Sequence, residues 1–166
     1  MINNENTCCF SGYRPEKLPW GVKESDERCN ILKEKIYDAL KQIYDSGIRH
    51  FICGMARGCD TYFCEAVLSL RAQFPGITLE AAIPYEAQSA KWLPEEQDRY
   101  DRLVYECDYR TYVNREYSSG CMKRRNRYMV NNASVLLTVF DGKTGGTMYT
   151  RNYATRKGLN VIEITP

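Results

Sequence analysis

A single histidine, His50, is all the imidazole in this chain, and its eight cysteines form no C-x-x-C pair. These two absences remove the usual zinc ligand sets and leave histidine-based activation of a nucleophile without material. No apolar run approaches the roughly 18 residues of a membrane span. Met1-Ile2-Asn3-Asn4-Glu5 lacks the basic and apolar pattern of a signal peptide. A cytoplasmic location with no membrane partner is therefore expected. The net charge is only +2, so no global field advertises a polyanion, and any anion site must be local. No G-x-G-x-x-G occurs, and the Gly-Lys-Thr element lacks the upstream glycine of a Walker A loop. No cofactor and no metal is expected.

What is present is an ordinary globular balance, 27% charged and 43% hydrophobic, in 166 residues that predict one domain. Several cysteines sit in apolar strands or on apolar helix faces, where a reduced thiol acts as a small hydrophobe. Strands are predicted at 7–10, 49–53, 78–83, 109–112 (the weakest), 134–140 (the strongest) and 161–164. Helical spacing runs from Cys29 to near Gly47, from Asp60 to before Pro75, from Pro94 to about Cys107, over 122–132, and from the Asp141–Thr147 turn through Gly158. Strands apolar on both faces and alternating with helices predict an α/β fold, a three-layer Rossmann-like domain with a mostly parallel central sheet. His50, just before a strand, is expected at the surface or the sheet edge.

The turns after the strands carry the chemistry. Phe51-Ile52-Cys53 runs into Gly54-Met55-Ala56-Arg57-Gly58-Cys59-Asp60: strand, tight turn, helix N-terminus, the place where free N–H groups receive an anion. Asp60 there is expected as a helix cap or first-turn residue. After the first strand, Ser11-Gly12-Tyr13-Arg14 offers a hydroxyl, a glycine and a guanidinium. After the fifth, Asp141-Gly142-Lys143-Thr144-Gly145-Gly146-Thr147 offers close backbone approach at Gly145 and Gly146, and a hydroxyl at Thr147. Lys123-Arg124-Arg125-Asn126-Arg127 places cations in the first turns of a helix, where they oppose the helix dipole unless an anion joins them. Arg127, one helical turn from Lys123 and Arg124, is the expected anion ligand of that group, with Asn126 beside it. The loop after the third strand supplies Tyr85 and Trp92 as stacking platforms and Glu86 as a carboxylate.

Taken in order, these turns resemble the SLOG superfamily, the Rossmann-like group that joins DNA-processing protein A with the LONELY GUY phosphoribohydrolases. Gly54-Met55-Ala56-Arg57-Gly58-Cys59-Asp60 is similar to a Gly-Leu-Ala-Arg-Gly-Ile-Asp segment, and Arg125-Asn126-Arg127 to an Arg-Asn-Arg helix start, both of DNA-processing protein A. Over nearly the whole length the pattern resembles the small YpsA-like and YoqJ-like bacterial SLOG proteins, through Pro84-Tyr85-Glu86, Trp92, Gln97, Tyr100 and Gly145-Gly146-Thr147. The resemblance implies binding or sensing of a nucleotide-derived ligand, and homodimerisation. One departure counts against glycosidic hydrolysis. Where the phosphoribohydrolases carry a catalytic glutamate three residues after their Gly-Thr, this chain has Thr150.

Three functions follow as expectations. The first is a binding protein in which Ser11, Gly12, Arg14, Gly54, Arg57, Gly58, Asp60, Glu86, Asn126, Arg127, Asp141 and Gly145 to Thr147 surround the ligand, with Tyr85 or Trp92 stacking on a base. The second is a nucleotide-cleaving enzyme with Glu86 or Asp141 as acid or base. The third is single-stranded nucleic-acid binding along Lys123 to Arg127.

Overall fold

The computed structural model describes residues 1–166. Six strands form one all-parallel sheet: β1 Thr7–Ser11, β2 His50–Cys53, β3 Thr78–Ile83, β4 Tyr109–Tyr112, β5 Val135–Val139 and β6 Asn160–Ile164, in the spatial order β4-β3-β2-β1-β5-β6. Five α-helices connect them: α1 Glu27–Asp45, α2 Cys59–Gln73, α3 Pro94–Glu106, α4 Cys121–Asn131 and α5 Gly146–Arg156. Every element expected from the sequence is present, and each boundary shifts by no more than a few residues. The α/β Rossmann-like expectation holds, and the sheet is wholly parallel.

Alternation along the strands divides the core in two. Cys8 and Phe10 of β1, Phe51 and Cys53 of β2, and Leu79 and Ala81 of β3 face α1, α2 and α3. Cys9, Ile52, Ala82 and Leu136 face the other way, against Met129 and Val130 of α4 and Ala154 of α5. α1 starts where Asp26 accepts a hydrogen bond from the Arg28 N–H at 2.9 Å. It buries Cys29, Leu32, Ile36, Leu40 and Ile43 along one stripe. All eight cysteines are free and buried, and no group of three or more His, Cys, Asp or Glu residues is arranged to hold a metal ion. No helix is long and apolar enough to cross a membrane.

β1 lies between β2 and β5, with Cys8 paired to Phe51 on one side and to Val135 on the other. The chain leaves β1 toward α1 on one face of the sheet and leaves β5 toward α5 on the other. A crevice therefore opens beyond the carboxyl ends of these two strands, at the switch in strand order where α/β sheets bind ligands.

The placement of His50 corrects the sequence reading. It is 2% exposed rather than at the surface. Its Nε2 lies 2.7 Å from Glu80 Oε2 and its Nδ1 lies 2.7 Å from the Thr78 hydroxyl. Glu80 also accepts from Thr111 at 2.8 Å and from Tyr128 at 2.5 Å. The parallel register sets Thr78 against His50 and Glu80 against Tyr109, so neighbouring strands deliver this network into the core.

Burial pushes the Glu80 carboxyl up, but His50, Tyr128 and Thr111 together hold it below its ordinary value of 4.5. A depressed folded value means Glu80 stabilises the fold above the unfolded pKa, and that contribution is lost as the pH falls through the folded value. Glu80→Gln is expected to cost about 1.5–3 kcal/mol near neutrality. The urea midpoint of the variant should fall less steeply than wild type on acidification. Identical pH profiles for the two proteins would show that Glu80 is not the titrating group.

Candidate functional site

The crevice is a cavity of about 380 Å³. The end of β1 supplies Ser11, the turn after it supplies Gly12, Tyr13 and Arg14, and a short 3-10 turn, Pro15–Lys17, follows at once. Arg14 is the N-cap of that turn, its carbonyl accepts from the Lys17 N–H at 3.0 Å, and both residues line the cavity. Arg14 is exposed, and its guanidinium makes no hydrogen bond or ion pair within the chain. Lys17 donates to the Thr144 carbonyl, and its amine lies against Gly145, where a side chain would otherwise stand.

α5 begins at the opposite wall. Its N-cap is Gly145, which has no side chain to satisfy the first-turn N–H groups, and Gly146 and Thr147 line the cavity. The positive end of an uncapped helix thus faces the same space as Arg14 and Lys17. Tyr13 fixes the loop before it. The phenol donates to Asp141 Oδ1 at 2.7 Å and accepts from the N–H groups of Asp141 at 3.1 Å and Lys143 at 3.2 Å.

The floor is a pair of buried charges. Arg125 of α4 is 4% exposed and Asp60 of α2 is 6% exposed. Arg125 Nη1 donates to the carbonyls of Gly54 and, at 3.4 Å, Ala82, while its Nε donates to Asn126 Oδ1 at 2.8 Å. Asp60 Oδ2 accepts from the Ala56 N–H at 2.9 Å, which ties the strand turn to the helix start. Burial raises the Asp60 carboxyl above its ordinary 3.8, opposed by Arg125, the Ala56 N–H and Arg14. Burial likewise lowers Arg125, opposed by Asp60 and Cys53. Glu16 at the rim is held below its ordinary value by its own backbone N–H and by Arg57 and Arg14, against some desolvation.

Of the residues picked out from the sequence, the crevice gathers Ser11, Gly12, Arg14, Asp60, Asn126, Gly146 and Thr147. The others stand apart for identifiable reasons. Arg57 turns outward, its guanidinium bound to Glu16 at 2.7 Å and Glu96 at 2.9 Å, and with Gly58 it lines a second cavity. Gly54 is covered by the Arg125 guanidinium, and a Cβ there would lie 2.6 Å from Arg125 Nη1. Gly145 caps α5 beneath Lys17. Asp141 is engaged by Tyr13 and Lys143, so it braces the loop. Glu86 is exposed, and Tyr85 packs edge-on against Tyr117 with ring centroids 5.4 Å apart.

On α4 it is Arg125, and not Arg127, that lines the crevice. Arg125 shares the buried stripe of Cys121 and Met129 and enters the crevice. Arg127 lies off that stripe and donates to the Tyr149 hydroxyl at 2.6 Å on the exposed α4–α5 surface. Four-residue spacing from Cys121 and Met129 is the feature of the sequence that marks Arg125 as the buried arginine of α4. Lys17 also lines the crevice, through the short turn that follows Arg14.

A parallel sheet flanked by helices on both faces, with cations and a helix N-terminus converging at its switch point, defines a Rossmann-like protein with a cation-lined crevice. Residues 8–163 match the family model described as the YspA SLOG family, and the chain belongs to that family. Among its relatives, the UPF0398 protein of Lysinibacillus sphaericus is 21% identical over 141 residues, 83% of this chain and 78% of that one. The SPbeta prophage-derived protein YoqJ of Bacillus subtilis is 27% identical over 141 residues, 77% of this chain and 82% of its own length. Among solved structures, DNA processing protein A from Streptococcus pneumoniae superposes with a TM-score of 0.61 at 15% identity. That match covers 95% of this chain and 49% of the other, so this chain spans about half of DNA processing protein A. The protein TM1055 gives a TM-score of 0.57 at 15% identity, covering 94% of this chain and 72% of that one. At such identities the two structures speak for the fold alone.

Proposed function

We propose that the protein binds or senses a nucleotide or nucleotide-derived small molecule, with the ligand's phosphate in the crevice between β1 and β5. The observation that carries this reading is convergence: Arg14 without an intramolecular partner, Lys17, and the uncapped start of α5 all face one cavity of about 380 Å³. The size falls within the range of small-molecule sites. A location in the cytoplasm, where such ligands and free thiols coexist, fits the same reading.

Turnover has little support among these side chains. Asp60 is buried and committed to the Ala56 N–H, Glu16 is paired with Arg57, and the Thr150 hydroxyl donates to the Gly146 carbonyl at 2.9 Å. No unengaged carboxylate lines the crevice to serve as general acid or base. Arg14→Ala and Lys17→Ala are each expected to weaken binding of AMP about tenfold, the loss of one charge-assisted contact. Isothermal titration with AMP, together with chromatography of the same samples for released adenine, tests both halves. Unchanged affinity in both variants would remove the crevice from the site. Release of adenine by wild type that disappears in Glu86→Gln would replace binding by catalysis.

A specific surface favours a second reading, single-stranded nucleic-acid binding. α4 and α5 contain no carboxylate. Tyr149 and Tyr153 lie nearly parallel, 6.3 Å apart at 6°, with the Lys123 ammonium 5.1 Å from the Tyr149 ring and the Arg127 guanidinium 5.5 Å from the Tyr153 ring. Aromatic faces among unpaired cations are what such proteins offer to bases and backbone. DNA processing protein A shares the fold and is named for work on DNA. Oligonucleotide affinity that grows with length and falls steeply with salt would favour this surface over the crevice.

A further inference from the structure

We propose that a second cavity, walled by the start of α2, by α3 and by the β1–α1 loop, is the subsite for an uncharged aromatic ring of the same ligand. This rests on the reading that the crevice holds the phosphate. The cavity measures about 430 Å³, and half of its 16 lining residues are hydrophobic. Its walls include the rings of Tyr62, Trp92 and Tyr100. Trp92 packs edge-on against Tyr100 with centroids 5.2 Å apart, which presents a rigid aromatic corner. Val22 and Leu93 stand at the cavity 68% and 59% exposed. Apolar side chains left open at the edge of an aromatic cavity are what a bound ring would cover.

The charges sort the two ends of a ligand. Each cation of this cavity is already spent. Arg57 is held by Glu16 and Glu96, and Arg99 by Glu24 at 2.5 Å and Glu65 at 2.6 Å. The remaining Glu95 has no partner and repels an anion. In the crevice the reverse holds, with Arg14 and the α5 N-terminus unspent. A phosphate is therefore directed to the crevice and an uncharged ring to the aromatic cavity.

The two spaces adjoin. Ala56 lines both, and the Glu16–Arg57 ion pair joins a crevice residue to a residue of the aromatic cavity. Between them runs the turn at Met55, a non-glycine residue held at φ 58 and buried. That left-handed conformation is unfavourable for a methionine, and it keeps the Met55 side chain in the cavity wall.

The test uses the full chain and three probes in titration calorimetry: ribose 5-phosphate, adenosine and AMP. Wild type is compared with Trp92→Ala and with Leu93→Asp. The second variant should fold readily, because Leu93 is the N-cap of α3, where aspartate is favoured. AMP is expected to bind wild type at least tenfold more tightly than ribose 5-phosphate. Both substitutions should bring AMP down toward ribose 5-phosphate while leaving ribose 5-phosphate itself unchanged. Adenosine that binds wild type but neither variant, with no binding of ribose 5-phosphate, would uphold the ring subsite and sink the phosphate crevice. Equal affinity of AMP and ribose 5-phosphate for wild type would overturn the ring subsite. So would an equal loss for both in the variants, or no binding of AMP and adenosine to folded wild type.

Discussion

Replacing Arg125 by methionine is expected to cost about 3 kcal/mol, lowering the melting temperature by on the order of 10 °C for a domain of this size. Methionine keeps much of the volume, so the loss comes from charge and hydrogen bonds. The guanidinium is 4% exposed and satisfies the carbonyls of Gly54 and Ala82 at the ends of two strands. It also offsets the buried Asp60 carboxylate. Without it two acceptors and one anion are left without their main cation.

The pH dependence identifies which charge is responsible. Because the folded-state pKa of Asp60 is raised, the unfolded chain ionises first, and ionisation of Asp60 opposes folding as the pH rises above 3.8. Removal of Arg125 raises that value further. The variant should therefore lose more stability than wild type between mildly acidic and neutral pH, and Asp60→Asn added to it should recover part of the loss. Urea titrations across this range read both effects. If Asp60→Asn makes the Arg125→Met protein less stable at neutral pH, the electrostatic account of this floor fails.

The second large effect is at Gly58. Its φ is +80°, and a Cβ there would stand 2.8 Å from the Tyr13 carbonyl and 2.9 Å from Pro15 Cδ. Two penalties act together: the left-handed backbone and the collision with the β1 turn. Gly47 has φ +109° with nothing near its Cβ position, so Gly47→Ala measures the backbone penalty by itself, about 1 kcal/mol. Gly58→Ala is expected to cost about 3 kcal/mol, and Gly58→Val more, through displacement of the turn that carries Arg14. The comparison is made by chemical denaturation of both alanine variants. Equal losses would mean that the β1 turn yields to the new methyl group at no cost. Binding of ribose 5-phosphate in the crevice should suffer only as far as that turn moves, because Gly58 lines the aromatic cavity and not the crevice.

Local residue pattern was enough for the order of elements. Two-faced apolar strands such as Val135-Leu136-Leu137 can be stable only inside a covered sheet, and the helical stripe of Leu32, Ile36, Leu40 and Ile43 can bury only one face. The same local logic located the anion-type turns after β1, β2 and β5, because glycine, arginine and a following helix start are adjacent in the chain. Strand order was not legible. That β1 sits beside β5, which draws Ser11 and Thr147 together and leaves β4 at the edge, depends on pairing between residues more than a hundred positions apart. Side-chain direction was the other thing only the tertiary structure decided. Arg57 is drawn out of the crevice by Glu16 and Glu96, and His50 is drawn into the core by Glu80. Arg125, and not Arg127, lines the crevice because the face of α4 that packs on the sheet is chosen by Cys121 and Met129. A run of arginines states that positive charge is available. Which guanidinium lines the crevice is set by the partners that claim the others, and those partners come from distant parts of the chain.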